Sequence, residues 1–227
     1  MKKSIHLLAL AGAALSASVF GLAGGARGDV IAWDEAANGP FSSNGLAPTP
    51  VTFVTGTGNE VLGVDGRAVA GGTVDRDYFT FTVPTGSALA AIIVLPGTQS
   101  ASPPTGGSDI SFIAIEAGNQ ITLPVTATDA TGLLGWRHFS PADIGQDILP
   151  AMGTSDMGAT GFIPPLGAGT YSVWIQETGV CGSDLCHYGF DFVLAPEPTS
   201  GALVLSGLAV LAGLRWSRRR HLAAGKA

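Results

Sequence analysis

Between Asp29 and Ala195 the chain contains no lysine and only three arginines, Arg67, Arg76 and Arg137, against 16 carboxylates, a formal charge of −13. A stretch so poor in cations excludes nucleic acid as a partner, because phosphate binding rests on Lys and Arg side chains. Cysteine is almost absent too: Cys181 and Cys186 are the only two. With the adjacent His187 they supply at most part of a four-ligand zinc site, and no second Cys or His pair completes it. The same stretch holds two histidines, His138 and His187. It has no Gly-x-Ser-x-Gly elbow, no His-Glu-x-x-His and no Walker loop, so the common signatures of serine hydrolases, zinc proteases and nucleotide-binding proteins are missing. His138 follows Trp136-Arg137 with no identifiable partner and reads as a structural or surface histidine. A pair of glycosidase carboxylates leaves no such signature, because their distance is spatial. A secreted hydrolase therefore stays open as an alternative.

The two ends carry what the middle lacks. Lys2 and Lys3 precede an apolar run from Ile5 to Leu22, and Ala23-Gly24-Gly25-Ala26 follows. This order predicts a secretory signal helix over residues 1–26. At the other end Pro196-Glu197-Pro198 leads into an uncharged, mostly apolar run from Pro198 to Leu214, then a basic cluster of Arg215, Arg218, Arg219 and Arg220. As a helix the apolar run spans about 26 Å, slightly less than a ~30 Å hydrocarbon core. Thr199 and Ser200 suit its N-cap. The arginines beyond it place the C-terminus in the cytoplasm. The reading predicts a single C-terminal transmembrane helix and a membrane-anchored precursor.

Taken in order, tripeptide, apolar run and arginine cluster resemble the PEP-CTERM sorting signal of exopolysaccharide-producing bacteria. That resemblance implies an exosortase-type membrane protease as partner, processing near Pro196-Glu197-Pro198, and delivery to the cell surface or the extracellular (biofilm) matrix. The chain then divides into a signal peptide (1–26), an exported domain (27–195), the sorting signal (196–220) and a cytoplasmic tail (221–227). In an exported chain a Cys181–Cys186 disulfide is the expected state of the two thiols.

The middle, 167 residues, suits one domain with its own core. Asp77 to Val83 alternates, with Phe79, Phe81 and Val83 opposite Tyr78, Thr80 and Thr82; Thr170 to Gln176 sets Tyr171, Val173 and Ile175 opposite Trp174. Ala88 to Leu95 is a continuous apolar strand, and His187 to Leu194 alternates again. Weaker strand candidates are 30–33, 51–54, 68–74, 110–115, 120–123 and 133–139. Ser140-Pro141-Ala142-Asp143 reads as a capping box, opening a helix with Ile144, Ile148 and Leu149 buried and Pro150 limiting it. Many short strands with turn signals between them predict an all-β, antiparallel, jelly-roll-like sandwich. Two blocks, Val74 to Pro84 and Gly167 to Ile175, with the aromatic strand at Tyr188 to Leu194, resemble the bacterial pre-peptidase C-terminal (PPC-like) β-sandwich domain. Residues 99–165 are a long insertion relative to it.

Candidate chemistry is sparse. Asp75 and Asp77 bracket Arg76 ahead of a strand and could face one calcium ion, which takes oxygen ligands; the PPC resemblance points the same way. A solvated loop with Arg76 offsetting the charge is the alternative. Asp109 and Asp184 are weaker candidates. Trp174 is a candidate for sugar stacking if its strand face is open, and otherwise a packed sandwich tryptophan. The leading expectation is an exported, non-enzymatic adhesive or structural β-sandwich. The alternative is a carbohydrate- or calcium-binding module of the exopolysaccharide matrix.

Overall fold

In the computed structural model residues 28–66, 73–100, 111–177, 179, 181 and 185–197 are described. The expected signal peptide, the 198–214 run, the arginine cluster, Asp109 and Asp184 lie outside them.

Two sheets form an all-β domain. The first has four strands in the order β1 (Val30–Asp34), β3 (Asn59–Asp65), β9 (Cys186–Pro196), β5 (Ser87–Val94). The second has five, in the order β2 (Thr49–Pro50), β4 (Arg76–Val83), β8 (Gly169–Gln176), β6 (Phe112–Ala117), β7 (Gly135–His138). From β3 to β6 the chain crosses from one sheet to the other at every step, and β8 to β9 crosses again. Most pairings are antiparallel, but β1 runs parallel to β3 and β2 parallel to β4, which corrects the expectation of a purely antiparallel fold. The outer edge of β5 is covered by bridges from Ile144, Asp147 and Leu166, which deny it to other chains.

The alternation read from the sequence builds the core. Phe79, Phe81 and Val83 on β4, and Tyr171, Val173 and Ile175 on β8, face Val61, Leu89, Ile92, Phe190, Phe192 and Leu194 of the first sheet. Phe192 is the centre of this contact, meeting Phe79 edge-on at 5.6 Å, Phe81 at 5.6 Å and Phe53 at 5.2 Å. A second, smaller cluster lies on the other face of the five-stranded sheet, where Tyr78, Ala114 and Trp174 are covered by Ile121, Ala130, Leu133 and Ala159. Tyr78 is therefore buried although it points away from the main core.

Three expectations are corrected. No helix among the described residues is long and apolar enough to cross a membrane, and the α-helices described, α1 (Glu35–Asn38) and α2 (Leu149–Met152), are single turns. The C-terminal transmembrane helix is not supported. With it go the membrane-anchored precursor, the membrane as partner and an exosortase-type protease acting on an anchored chain. The capping box at Ser140 is present, with Asp143 returning to the Ser140 amide at 2.9 Å, but it opens only a 3-10 turn, 141–143. Gly145 then takes φ +79°, and Ile144 and Asp147 bridge to β5. Pro150 stands at the start of α2 and not at the end of a longer helix, where its missing N–H costs nothing. Residues 51–54 and 120–123, two strand candidates, lie outside any strand, while Thr49–Pro50 and Asn59–Asp65 are strands.

Candidate functional site

Asp75 and Asp77 share the parity of Phe79 and Phe81, so the strand carries both inward at one end of the sandwich. Asp77 is buried, and its Oδ2 accepts a hydrogen bond from Tyr188 Oη at 2.8 Å. Asp75 caps its own strand, accepting from the Arg76 amide at 3.1 Å, and bridges Gly66. Arg76 points the other way, its Nε donating to Gln176 Oε1 at 2.6 Å, so its guanidinium leaves both carboxylates alone.

Four further groups join them. Asp65, at the end of β3, is buried with Oδ2 lacking any hydrogen-bond partner. Glu177, just past β8, is buried and accepts from Ser111 Oγ and from the Gly179 amide at 2.8 Å. Glu35 accepts from the Phe41 amide at 2.6 Å and the Val64 amide at 2.8 Å. Tyr188 is buried within this acidic group. Glycine at 63 makes room for it, since a Cβ there would overlap the Tyr188 hydroxyl.

Burial is the main cause of every shift in this cluster. It raises Asp77 to about 8, with repulsion from Glu35 adding and the Tyr188 hydrogen bond partly opposing. It raises Asp65 well above the carboxylate range, helped by Asp77 and Glu177. Glu35 and Asp75 are also raised, and Tyr188 is held well above the usual phenol value. Asp77 therefore holds its proton near neutrality. Beside it a cleft of about 590 Å³ is lined by Asp34, Glu35, Asp75, His187 and Tyr188, with Leu62 and Val64. Its walls repel anions. Among the described residues no three His, Cys, Asp or Glu side chains are placed to hold a metal ion together.

The second concavity is aromatic. Strand register sets Tyr78, Trp174, Ala114 and Trp136 in one row across β4, β8, β6 and β7. Ala114, between the two tryptophans, is fully buried in the second cluster with Ala130 and Leu133. Phe112 lies against both indoles, edge-on to Trp174 at 4.8 Å and 6.2 Å from Trp136. Leu123, Leu133, Thr128, Asp129 and Met157 complete a pocket of about 170 Å³. Trp136 Nε1 donates to the Asp156 carbonyl at 3.2 Å. The buried Trp174 Nε1 has no acceptor. Met157, exposed at the mouth, has φ +50° and ψ +32°. A non-glycine residue there costs on the order of 1 kcal/mol, and its carbonyl accepts the Ala130 amide at 2.8 Å, which ties the turn to the opposite wall.

No family model, curated protein or solved structure matches the chain.

The remaining sequence candidates fall as follows. Cys181 and Cys186 form a disulfide, Cα to Cα 5.0 Å. Pro196 ends β9 opposite Ser87, and the Glu197 amide donates to the Gly86 carbonyl at 2.9 Å; Pro198 lies outside the described residues. His138 ends β7 with Nδ1 2.9 Å from the Ser111 carbonyl and its ring edge-on to Trp136, a structural placement. Trp174 faces away from the main core, as the alternation predicts, but the 121–133 segment covers it and it is 5% exposed. It is no open stacking platform. Sequence reasoning missed Glu35, Asp65, Glu177 and Tyr188. One signal was available: Asp77 has the same strand parity as Phe79, so it had to enter the interior and find company there.

Proposed function

We propose that the chain is an exported, non-enzymatic β-sandwich with an adhesive or structural role at the cell surface or in an extracellular matrix. The observation that carries this reading is the Cys181–Cys186 disulfide at the head of β9. Disulfides persist in oxidising compartments and are rare in the cytosol. The anionic, lysine-free composition supports it by keeping a surface protein soluble through self-repulsion.

The test is fractionation of cells producing the full-length chain, followed by maleimide labelling with and without reductant. The expected result is an extracytoplasmic protein that takes label on both cysteines only after reduction. A cytoplasmic protein with two free thiols would sink the reading. A broad hydrolase screen bears on the enzymatic alternative, and turnover of any ester, peptide or glycoside would replace the non-enzymatic half.

A further inference from the structure

We infer that the Asn44-Gly45 turn is a modification site, where the asparagine loses its side-chain amide through a cyclic imide and becomes mainly isoaspartate. The chain has four asparagines, Asn38, Asn44, Asn59 and Asn119, and glycine follows only the first two. Glycine matters because the nucleophile is the next residue's backbone nitrogen, and without a Cβ nothing hinders its approach to the asparagine side chain. The fold then separates the two Asn-Gly pairs.

At Asn38 the reaction is blocked. The Gly39 amide, which would have to attack, closes the α1 turn by donating to the Glu35 carbonyl at 2.9 Å. Asn38 Oδ1 accepts from the Asp34 amide at 2.9 Å, which turns the side chain back along α1 and away from Gly39.

At Asn44 the same groups are available. Asn44 is exposed to water, and neither its Nδ2 nor the Gly45 N–H has a hydrogen-bond partner among the described residues. Asn44 Oδ1 accepts from the Leu46 amide at 3.0 Å. That bond spans Gly45, so it holds Cγ over the Gly45 peptide. It also places a donor on the oxygen that gains charge when Cγ is attacked. The Ala47 amide donates to the Asn44 carbonyl at 3.0 Å, and the Ile121 amide to the Gly45 carbonyl at 2.7 Å. The braced turn keeps nucleophile and electrophile side by side. Packing fixes the glycine, since a Cβ at 45 would lie 2.9 Å from the Ile121 carbonyl oxygen and 3.2 Å from Tyr78 Cε1.

The Gly45 nitrogen gives its proton to solvent and bonds to Asn44 Cγ. The Cγ–Nδ2 bond breaks and ammonia leaves. Water then opens the imide. Breaking the new bond to Cγ yields aspartate, and breaking the bond to the main-chain carbonyl yields isoaspartate, whose backbone runs through Cβ and Cγ. Either product adds a negative charge, and isoaspartate lengthens the main chain by a methylene. The turn is tied to Ile121 on one side and to Tyr78 on the other, whose amide donates to the Ser42 carbonyl at 2.9 Å. Its lengthening therefore loosens the cover over Tyr78 and Trp174. The chemistry needs only water, so it does not depend on the compartment the chain occupies.

The experiment ages the full-length chain in warm, mildly alkaline buffer, folded and in urea, and maps it by peptide mass spectrometry with fragmentation that separates isoaspartate from aspartate. In the folded protein Asn44 should react about tenfold faster than Asn38 or more, because Asn38 waits on opening of α1, and isoaspartate should be the major product. In urea the two rates should converge. Asn44→Ser keeps a side-chain acceptor for the Leu46 amide. It should give no product at position 44 and, after ageing, should keep the urea midpoint that the parent loses. The inference is overturned if Asn38 reacts as fast as Asn44 in the folded protein, if Asn44 reacts in urea but not when folded, if aspartate forms without isoaspartate, or if aged parent and aged Asn44→Ser show the same fall in midpoint.

Discussion

A single asparagine and a single aspartate explain why β3 and the start of β4 sit where they do. Asn59 is fully buried, and its carboxamide donates to the carbonyls of Val54, Thr57 and Phe192 while accepting from the Val54 amide at 2.6 Å. It ties the loop before β3 to the last strand, and its polar atoms are repaid in hydrogen bonds. Asp77 has one donor, Tyr188, and several acidic neighbours. Its folded-state pKa of about 8 stands against an ordinary 3.8, so the folded protein keeps a proton that the unfolded chain gives up. The stability tied to that proton is full below the unfolded-state value. It declines as pH rises and is gone once pH has passed about 8. Urea midpoints should therefore fall between pH 5 and pH 8.5. Asp77→Asn keeps the shape and the acceptor for Tyr188 but cannot ionise, so its midpoint should fall distinctly less over the same range. Equal pH dependence in variant and parent would mean that Asp77 is ionised in the folded state. Asp65, raised in the same direction, keeps the variant's slope from vanishing.

At the scale of elements, legibility follows parity. The strands β4, β8 and β9 were readable because their inward positions are apolar: Phe79, Phe81, Val83; Tyr171, Val173, Ile175; Phe190, Phe192, Leu194. In β3 the pattern is reversed. Its inward residues are Asn59, Val61, Gly63 and Asp65, and the apolar Leu62 and Val64 take the more exposed face. A rule that seeks apolar residues on the buried side passes over such a strand, although it pairs with both β1 and β9. The reversal has a local cause, because the inner face of β3 meets the Asn59 network at one end and the carboxyl cluster at the other. The 141–152 segment misled for a different reason. Its capping box and its spacing of Ile144, Ile148 and Leu149 fit a helix, but the free edge of β5 offered backbone partners, and Ile144 and Asp147 took them. Pairing an open edge outweighs the weak preference of a short helix. The α2 turn that follows packs so closely on β7 that a Cβ at Gly135 would overlap the Met152 carbonyl oxygen. Backbone cannot yield as a flexible side chain does. Gly135→Ala should cost on the order of 1–3 kcal/mol, seen as a lower urea midpoint. A variant as stable as the parent would show that α2 shifts freely on β7.

For the whole molecule the strongest physical fact is charge imbalance. The 29–195 stretch holds three arginines against 16 carboxylates. Of the arginines described, Arg137 forms the salt bridge to Asp143 at 2.8 Å, and Arg76 is bound to Gln176. The folded state therefore concentrates unbalanced negative charge that the unfolded chain spreads out, and self-repulsion opposes folding. Screening acts on that repulsion over a distance of about 30 Å at 0.01 M salt and about 3 Å at 1 M. The melting temperature at pH 7 should rise by several degrees as sodium chloride goes from about 0.01 to about 0.5 M and then level off, in contrast to a protein held by surface ion pairs, which salt weakens. Composition alone made this charge visible, but its arrangement was not, because the inward turn of Asp65, Asp77 and Glu177 depends on strands distant in sequence. That arrangement also decides how divalent ions act. Asp77 holds its proton at pH 7 and accepts from Tyr188, so calcium should stabilise no more than sodium at equal ionic strength. A larger rise with calcium would mean that Asp77 gives up that proton and that Asp75 and Asp77 turn to one ion.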